Sequence, residues 1–231
     1  MDMQTMGIKN EGELQKRYIL KVYIWMAVAL TITAITARIT VSSINILEFI
    51  FSSNVIFYGL ILIELGLVML LSRRINTMKV SSAIAAFIIY SVVNGLTLSS
   101  IFLAYTYSSI ATAFFITAGT FVVMSIYGYV TKNDLTRVGS ICIMGLIGLI
   151  IASIANLFMN SELIYWITSY AGVLIFIGLI SYDTQKLKMI SMSGFNDESM
   201  EQKSAIVGAL SLYLDFINLF LIILRLLSRK R

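Results

Sequence analysis

Four ionisable side chains of this sequence lie inside long apolar stretches, where a charge is costly. They are Glu64, Asp183, Asp215 and Arg225. A charged residue at the depth of a bilayer costs roughly 2.5–3.5 kcal/mol on insertion scales, so each of the four is a candidate functional residue. Three of them are carboxylic acids, whose oxygens bind protons and hard cations such as Ca²⁺. These residue types therefore predict proton or cation chemistry.

A polar seam follows one face of the last apolar stretch. Its members are spaced by four, three and seven positions, as one face of an α-helix requires: Ser211, Asp215, Asn218 and Arg225. Because the other faces carry Leu, Ile and Phe, this helix is expected in the middle of a bundle, with Asp183 and Glu64 as the partners of its seam. The alternative to a transport role is a structural one, in which an ion-pair lock between Glu64 and Arg225 or a hydrogen-bonded polar core only fixes helix register.

Asp183 and Asp215 are predicted to form a pair, since Asp183 directly precedes the connection into the last helix. Two carboxylates within hydrogen-bonding distance in a low dielectric cannot both ionise cheaply, so we expect them to share a proton. Because the chain has no His, this pair is the predicted sensor of pH near neutrality. The same oxygens suit Ca²⁺, although two acids predict a weak, transient site rather than a tight cage.

The composition places these residues in a membrane protein. Of the 231 residues, 58% are apolar and 13% are charged, which excludes a water-soluble globule. Seven apolar runs are each long enough to span a bilayer as a helix: 22–41, 51–71, 80–104, 109–130, 138–159, 163–183 and 205–227. They are too continuous for the alternating strands of a membrane barrel. We predict an all-α integral membrane protein, a seven-transmembrane-helix bundle with a central, polar-seamed seventh helix.

The predicted organisation is a polar N-terminal segment at 1–21, a seven-helix domain at 22–227 and a basic tail at 228–231. The connection before the seventh helix is predicted as a loop over about 184–204, with a turn that begins at Gly194. Lys and Arg concentrate in the N-terminal segment and the even-numbered loops, which predicts a cytoplasmic N-terminus. The tail is then outside, unless the seventh segment is re-entrant.

Several functions are excluded by missing residues. The chain has a single Cys, Cys142, and no His, so an intramolecular disulfide, a Cys/His metal cluster and a His general base are impossible. Phosphate-binding and metalloprotease motifs are absent, and we predict neither an enzyme nor a cofactor. Intramembrane proteolysis by the two Asp residues is the one enzymatic alternative. The net charge of +5 is dispersed between apolar runs, so no nucleic-acid partner is predicted.

Two motifs resemble those of the Bax inhibitor family, the transmembrane Bax-inhibitor-motif proteins. Residues 178–185 read Gly-Leu-Ile-Ser-Tyr-Asp-Thr-Gln and are similar to the family's Tyr-Asp-Thr-Gln signature. The run at 209–220, Ala-Leu-Ser-Leu-Tyr-Leu-Asp-Phe-Ile-Asn-Leu-Phe, resembles the family's final segment. Weaker similarity at 22–27, 95–99 and 128–134 extends the resemblance over essentially the whole chain, and the short N-terminal segment favours the bacterial branch.

The resemblance implies a pH-responsive Ca²⁺ leak, with Asp183 and Asp215 as proton sensor and gate. It matches Glu64 and Arg225 to an acidic residue and an arginine of the family, and it offers Arg73 or Arg74 as a latch on the aspartates. In the resulting hypothesis, a change of protonation loosens the cytoplasmic ends of the sixth and seventh helices. Ca²⁺ then moves passively past Glu64, with Ser211 and Asn218 along its route.

The resemblance also implies a competing class, an interaction protein. Bacterial relatives are linked to inhibition of a membrane-bound, ATP-dependent protease and animal relatives to suppression of cell death, in which case the polar seam is purely structural. A proton-coupled exchanger is a third reading.

The expected location is the inner membrane of a bacterium. The expected partners are the lipid bilayer, Ca²⁺ and either a membrane protease or another membrane protein.

Overall fold

The chain is helical almost throughout. A computed structural model describes the backbone of residues 3–228 and the side chains of residues 12–227, with no β-strand in that range. The helices are α1 (Met3–Ser42), α2 (Ile44–Phe51), α3 (Asn54–Arg74), α4 (Val80–Leu98), α5 (Ile101–Ala104), α6 (Tyr107–Val130), α7 (Thr136–Met159), α8 (Glu162–Ser193) and α9 (Glu198–Ser228). A 3₁₀ turn over Ile75–Thr77 follows α3.

Seven helical stretches of this described region are long and apolar enough to cross a membrane, which confirms the predicted all-α membrane protein with seven spanning helices. They are Gly12–Ser42, Asn54–Thr77, Val80–Ala104, Tyr107–Val130, Thr136–Met159, Glu162–Ser193 and Glu198–Leu227. The last is the most buried: 72% of its most apolar window is buried, against at most 44% in the others. Over Glu198–Ser228 it is one continuous helix.

The N-terminal polar segment is helical, so the predicted start of the first helix near residue 22 was wrong. Within the described residues α1 begins at Met3. Polar contacts with the start of α9 hold this extension. The hydroxyl groups of Tyr18 and Ser204 are 2.8 Å apart, and Lys21 forms an ion pair of 2.6 Å with Glu201. Such contacts depend on the tertiary structure, which apolar periodicity does not report.

The predicted loop at 184–204 was also wrong, because helices occupy most of it. The helix α8 ends at Ser193 and α9 begins at Glu198. Gly194 makes the turn between them with φ at 76°, a conformation that favours glycine. Asp197 then caps α9, since its carboxylate accepts the backbone N–H of Met200 at 2.6 Å. Asp183 consequently lies within a helix rather than at its end.

The chain divides into two compact units. The first comprises Met1–Thr106 and Ile190–Tyr213, and the second comprises Tyr107–Met189 and Leu214–Arg231, so α9 contributes residues to both. In the first unit, α1 buries a helical stripe with the expected spacing of three and four: Tyr18, Val22, Met26, Ala29, Thr33, Ala37 and Thr40. This stripe accounts for the packing of α1 in that unit.

The second unit is organised by a close contact between α6 and α8. The buried stripe of α6 consists of Ala113, Thr117, Phe121, Ser125 and Gly128. At Gly128 a β-carbon would overlap the backbone of Ser181, so only glycine allows the two helices to approach this closely. Of the predicted tail at 228–231, only the backbone of Ser228 is described, and the other three residues lie outside the described range.

Candidate functional site

The structure brings the two predicted aspartates together in the second unit. Asp215 on α9 is only 6% exposed, and its Oδ2 has no hydrogen-bond partner among the described residues. Asp183 on α8 is half-buried and interacts electrostatically with Asp215. The buried thiol of Cys142 on α7 is also in the electrostatic environment of Asp215. A buried carboxylate oxygen without a partner is unfavourable unless it holds a proton or a cation.

The residues around Asp183 fasten α8 to the α6–α7 connection. The ring of Tyr182 occupies the space beside Gly139 at the start of α7. The Gln185 side chain accepts the backbone N–H of Leu135 at 2.8 Å and donates to the carbonyl oxygen of Asn133, also at 2.8 Å. The Tyr-Asp-Thr-Gln segment therefore holds Asp183 on a helix whose position is fixed on both sides of it.

Lys188, one turn beyond Gln185, adds a third attachment of α8. Its ammonium group donates to the carbonyl oxygen of Tyr129 at 2.8 Å and lies 5.3 Å from the centre of the Tyr129 ring. Both contacts lie at the end of α6. Lys188 therefore also anchors α8 to the end of α6.

Glu64, in the first unit, is held by side chains of α4. Thr97 donates to its Oε1 at 2.6 Å, and the Asn94 amide donates to its Oε2 at 3.3 Å. The amide oxygen of Asn94 in turn accepts the hydroxyl of Tyr213 at 2.9 Å. The sequence placed the partners of Glu64 on the polar seam, whereas the contribution of α9 to this cluster is Tyr213, which lies outside that seam.

The cluster continues from Tyr213 to α1. The hydroxyl groups of Tyr213 and Thr33 are 2.7 Å apart, and Thr33 lies 2.9 Å from the backbone carbonyl oxygen of Ser91. The ring of Tyr213 packs edge-on against Phe87 and Tyr90, with centroid distances of 6.4 and 5.6 Å. Tyr213 is fully buried, so its single polar atom is tied into the cluster while its ring fills the core.

We call Glu64 and the neutral polar residues linked to it the Glu64 cluster. Sequence reasoning missed its neutral members, which are Thr33, Ser91, Asn94, Thr97 and Tyr213. The sequence did contain a signal for two of these residues, Asn94 and Thr97. Asn94 and Thr97 are three residues apart on α4, so they share one face of that helix. An amide within an apolar run needs a partner, and Glu64 on the preceding long helix is the nearest acidic residue in sequence to supply one.

The predicted seam is unevenly buried. Asp215 is buried, Ser211 and Asn218 are half-buried, and Arg225 is exposed. Asn218 donates to the carbonyl oxygen of Leu214 in its own helix at 2.8 Å. The guanidinium of Arg225 lies 5.7 Å from the centre of the Tyr165 ring. The proposed lock between Glu64 and Arg225 stays a prediction.

The two latch candidates lie at the end of α3, in the first unit. Arg73 and Arg74 form the last turn of that helix, and both side chains are exposed. The backbone carbonyl oxygen of Arg74 accepts the hydroxyl of Thr77 at 2.9 Å, which helps to close the turn that follows. A latch between either arginine and the aspartates stays a prediction.

Asp134 is an exposed carboxylate in the connection between α6 and α7. It accepts hydrogen bonds from the side chain and the backbone of Thr136, the latter at 2.9 Å. The side-chain bond first, and the backbone bond second, hold the pKa of Asp134 below its ordinary value. This is a capping role at the start of α7, and it makes Asp134 a solvated counterpart of the acids at membrane depth.

The long apolar helices and the acids within them define the chain as an α-helical, multi-pass membrane protein. A family model described as "Inhibitor of apoptosis-promoting Bax1" matches residues 15–231. The chain therefore belongs to the Bax inhibitor family, as the two motifs predicted.

Among the described residues, no group of three or more His, Cys, Asp or Glu side chains is placed to hold a metal ion.

Relatives of this chain occur in several bacteria. The inner membrane protein YbhL of Escherichia coli is 46% identical over 215 residues, which cover 93% of this chain and 92% of the relative. An uncharacterized protein of Borreliella burgdorferi is 44% identical over 96% of each chain. The uncharacterized protein RP147 of Rickettsia prowazekii is 43% identical over 96% of this chain and 94% of its own length. The similarity is to whole proteins, not to one module.

Proposed function

We propose that this protein is a passive, pH-responsive Ca²⁺ leak in which Asp183 and Asp215 sense protons and control the opening. The observation that carries the proposal is Asp215, a buried carboxylate with one unpartnered oxygen beside a second carboxylate. A structural ion pair would satisfy that oxygen. An oxygen left without a partner favours a group that exchanges a proton or a cation.

The proposed gate works through the attraction and repulsion of the two carboxylates. With one shared proton they are bridged, and the bridge holds α8 against α9. Loss of that proton places two negative charges side by side, which repel, and gain of a second proton removes the charge that attracts a cation. Either change of protonation alters the contact between the helices, so the opening is expected to depend on pH.

Ca²⁺ is the proposed cargo because it prefers carboxylate, carbonyl and water oxygens and takes six to eight of them. Two carboxylates supply only part of such a shell. They suit an ion that passes rather than one that is stored. We accordingly propose transport without catalysis or a resident cofactor, driven by the Ca²⁺ gradient.

We propose the inner membrane of a bacterium as the location, with a cytoplasmic N-terminus. The name of the E. coli relative supports the membrane, and the distribution of Lys and Arg along the sequence supports the orientation. A reactive Cys added after Arg231 tests the orientation by labelling from either side of the membrane. Labelling only from the cytoplasmic side would contradict seven complete spans.

Reconstitution of the purified protein tests the proposed function. Liposomes loaded with a Ca²⁺ dye should show protein-dependent flux that varies with pH. Asp215→Asn should flatten that dependence, because an amide neither gains nor loses a proton in this range. Asp134→Asn is the matched control, since it also removes a carboxylate from the second unit but from an exposed position. It should keep the wild-type profile.

Two results would overturn the proposal. The first is an unchanged pH profile in Asp215→Asn, which would remove the pair from the mechanism. The second is the absence of Ca²⁺ flux in wild-type liposomes that contain correctly folded protein. If the same protein then retains a membrane protease in pull-down experiments, the interaction role is favoured.

A further inference from the structure

The second unit contains a cavity of about 280 Å³ that the proposed function does not use. It is formed by α7, α8 and α9. Four of its lining residues are polar, namely Ser153, Thr168, Asn218 and Arg225, and the others are Leu, Ile or Phe. Its size is near the lower end of ligand pockets, roughly 300 Å³, so it accommodates a chain or headgroup rather than a large molecule.

The cavity has a charged end and an apolar end. Arg225 lies three residues before Ser228, the last described residue of α9. Leu146 on α7 and Phe176 on α8 lie about 13 to 14 residues from Met159 and Glu162, the termini of those helices. At 1.5 Å per residue, those two side chains are roughly 20 Å deeper along their helices than the termini. The lining therefore changes from cationic at Arg225 to apolar at Leu146 and Phe176.

Arg225 brings a positive charge to the cavity, and it forms no ion pair among the described residues. Its guanidinium lies over the ring of Tyr165, and no residue that lines the cavity is acidic. The hydroxyl of Thr168 donates to backbone carbonyl oxygens of α8, and the Asn218 amide donates within α9. Among these polar lining residues, Arg225 is therefore the one that offers several N–H donors to a ligand. Its planar guanidinium group suits a phosphate.

The aromatic residues beside the cavity indicate its level in the membrane. Trp166 directly follows Tyr165 on α8 and stacks with Tyr170, with the two ring centres 5.7 Å apart, and Tyr170 is exposed. Trp and Tyr concentrate at the boundary between lipid and water, where phospholipid headgroups lie. The charged end of the cavity is therefore at headgroup level, and its apolar end is in the hydrocarbon.

We propose that this cavity binds an anionic phospholipid, with its phosphate on Arg225 and part of an acyl chain against Leu146 and Phe176. A guanidinium at headgroup level can donate two parallel, charge-assisted hydrogen bonds to a lipid phosphate. A soluble phosphate would contact only Arg225 and would leave the apolar end of the cavity unfilled. The site is independent of the aspartate pair, so its occupancy does not presuppose the Ca²⁺ leak.

Native mass spectrometry of the purified protein with defined lipids tests this site. Phosphatidylglycerol should bind more tightly than phosphatidylcholine with the same acyl chains. Arg225→Gln should weaken the binding of phosphatidylglycerol about tenfold, as expected for the loss of one charged hydrogen-bonding group worth roughly 1.4 kcal/mol. Arg38→Gln is the matched control, since it removes an exposed arginine near the end of α1, and it should leave binding unchanged.

A second variant keeps the charge and fills the cavity instead. Ser153→Phe should also weaken the binding of phosphatidylglycerol, and its fold can be checked separately by circular dichroism. The proposal is overturned if Arg225→Gln or a folded Ser153→Phe binds this lipid as the wild type does, or if both lipids bind equally. It is likewise overturned if millimolar inorganic phosphate displaces the lipid.

Discussion

Glu64 and Asp215 are both acids at membrane depth, but their surroundings differ. Each carboxylate oxygen of Glu64 accepts a hydrogen bond, from Thr97 or from Asn94, and that amide is itself held by Tyr213. Asp215 is more deeply buried, and its Oδ2 has no hydrogen-bond partner among the described residues. Glu64, the more exposed of the two acids, has a hydrogen-bond donor on each carboxylate oxygen, whereas the more deeply buried Asp215 lacks a donor on Oδ2.

This difference separates two uses of an intramembrane acid. A carboxylate with a partner on each oxygen is fixed in position, and its neighbours lose stability if it is removed. A carboxylate with an unsatisfied oxygen destabilises the fold, so its presence calls for a function that requires it. The contrast predicts opposite effects of mutation on stability in the two places.

The largest expected effect is that of Asn94→Leu. This change leaves Glu64 Oε2 without its partner and the Tyr213 hydroxyl with Thr33 alone, and it should lower the free energy of unfolding by about 3 kcal/mol. Asp215→Leu, in contrast, should be neutral or stabilising, because an apolar side chain replaces an unsatisfied charge. Equilibrium unfolding in mixed detergent micelles measures both.

Asn218→Leu is the matched control for Asn94→Leu. Its amide bonds only a carbonyl oxygen of its own helix, so the loss should be below about 1 kcal/mol. Equal destabilisation by Asn94→Leu and Asp215→Leu would remove the contrast between the two acids.

A smaller loss is expected from Gln185→Ala in the second unit. The change leaves the buried N–H of Leu135 without an acceptor and should lower the free energy of unfolding by about 2 kcal/mol. Amide hydrogen exchange gives the local measurement, since the Leu135 amide should lose protection. Gln202→Ala, which removes an exposed hydrogen bond to Glu198, should change neither quantity. Unchanged protection at Leu135 would show that Gln185 does not anchor this connection.

Tyr213→Phe should cost about 1 kcal/mol, because the ring keeps its contacts with Phe87 and Tyr90 and only the hydroxyl is lost. The loss should be smaller than that of Asn94→Leu, which leaves a carboxylate oxygen of Glu64 without a donor. Tyr213→Leu, which also removes the ring, should cost clearly more. If Tyr213→Phe has no effect on unfolding, the tyrosine contributes packing alone to the Glu64 cluster.

The smallest effect concerns Asp134, the solvated reference for the two buried acids. Its pKa is lowered in the folded protein by the hydrogen bonds from Thr136, so the ionised form stabilises the start of α7. This stabilisation is present above the ordinary pKa of Asp, about 3.9, and is lost as the pH falls through the lowered value. The protection factor of the Thr136 amide should therefore fall in strong acid.

Asp134→Asn keeps an acceptor oxygen but no longer titrates, so the Thr136 protection factor should stay constant over the same acidic range. A fall in the variant that matches the wild type would assign the acid sensitivity to another group. The wild-type measurement alone does not make that distinction.

The spans were predictable because about 20 consecutive apolar residues leave few alternatives to a membrane helix. The positions at which these helices end outside the bilayer were not predictable from the sequence. Beyond the bilayer a helix continues where tertiary contacts support it, as Tyr18 does for α1 and Gln185 does for α8. Hydropathy falls at these positions although the helix does not end.

The candidate site was predictable to the extent that it consists of charges. Asp183 and Asp215 are conspicuous because lipid rarely accommodates an acid, and the structure places them in mutual electrostatic contact. Asn94, Thr97 and Tyr213 are neutral, and neutral polar residues are common in membrane helices. Only the packing of α1, α3, α4 and α9 in the first unit reveals that these three surround Glu64.

The hydroxyl groups of Thr33 and Tyr213 have one further consequence for Glu64. They take part in three contacts, with the Ser91 carbonyl, with each other and with the Asn94 amide oxygen, yet they own only two hydrogens. Two hydrogens serve only two of the three contacts at a time, so they have three arrangements over the same oxygen positions, and one contact is always without a hydrogen. Rotation of one hydroxyl changes the polarisation of Asn94 and hence the electric field at Glu64, while every heavy atom stays in place.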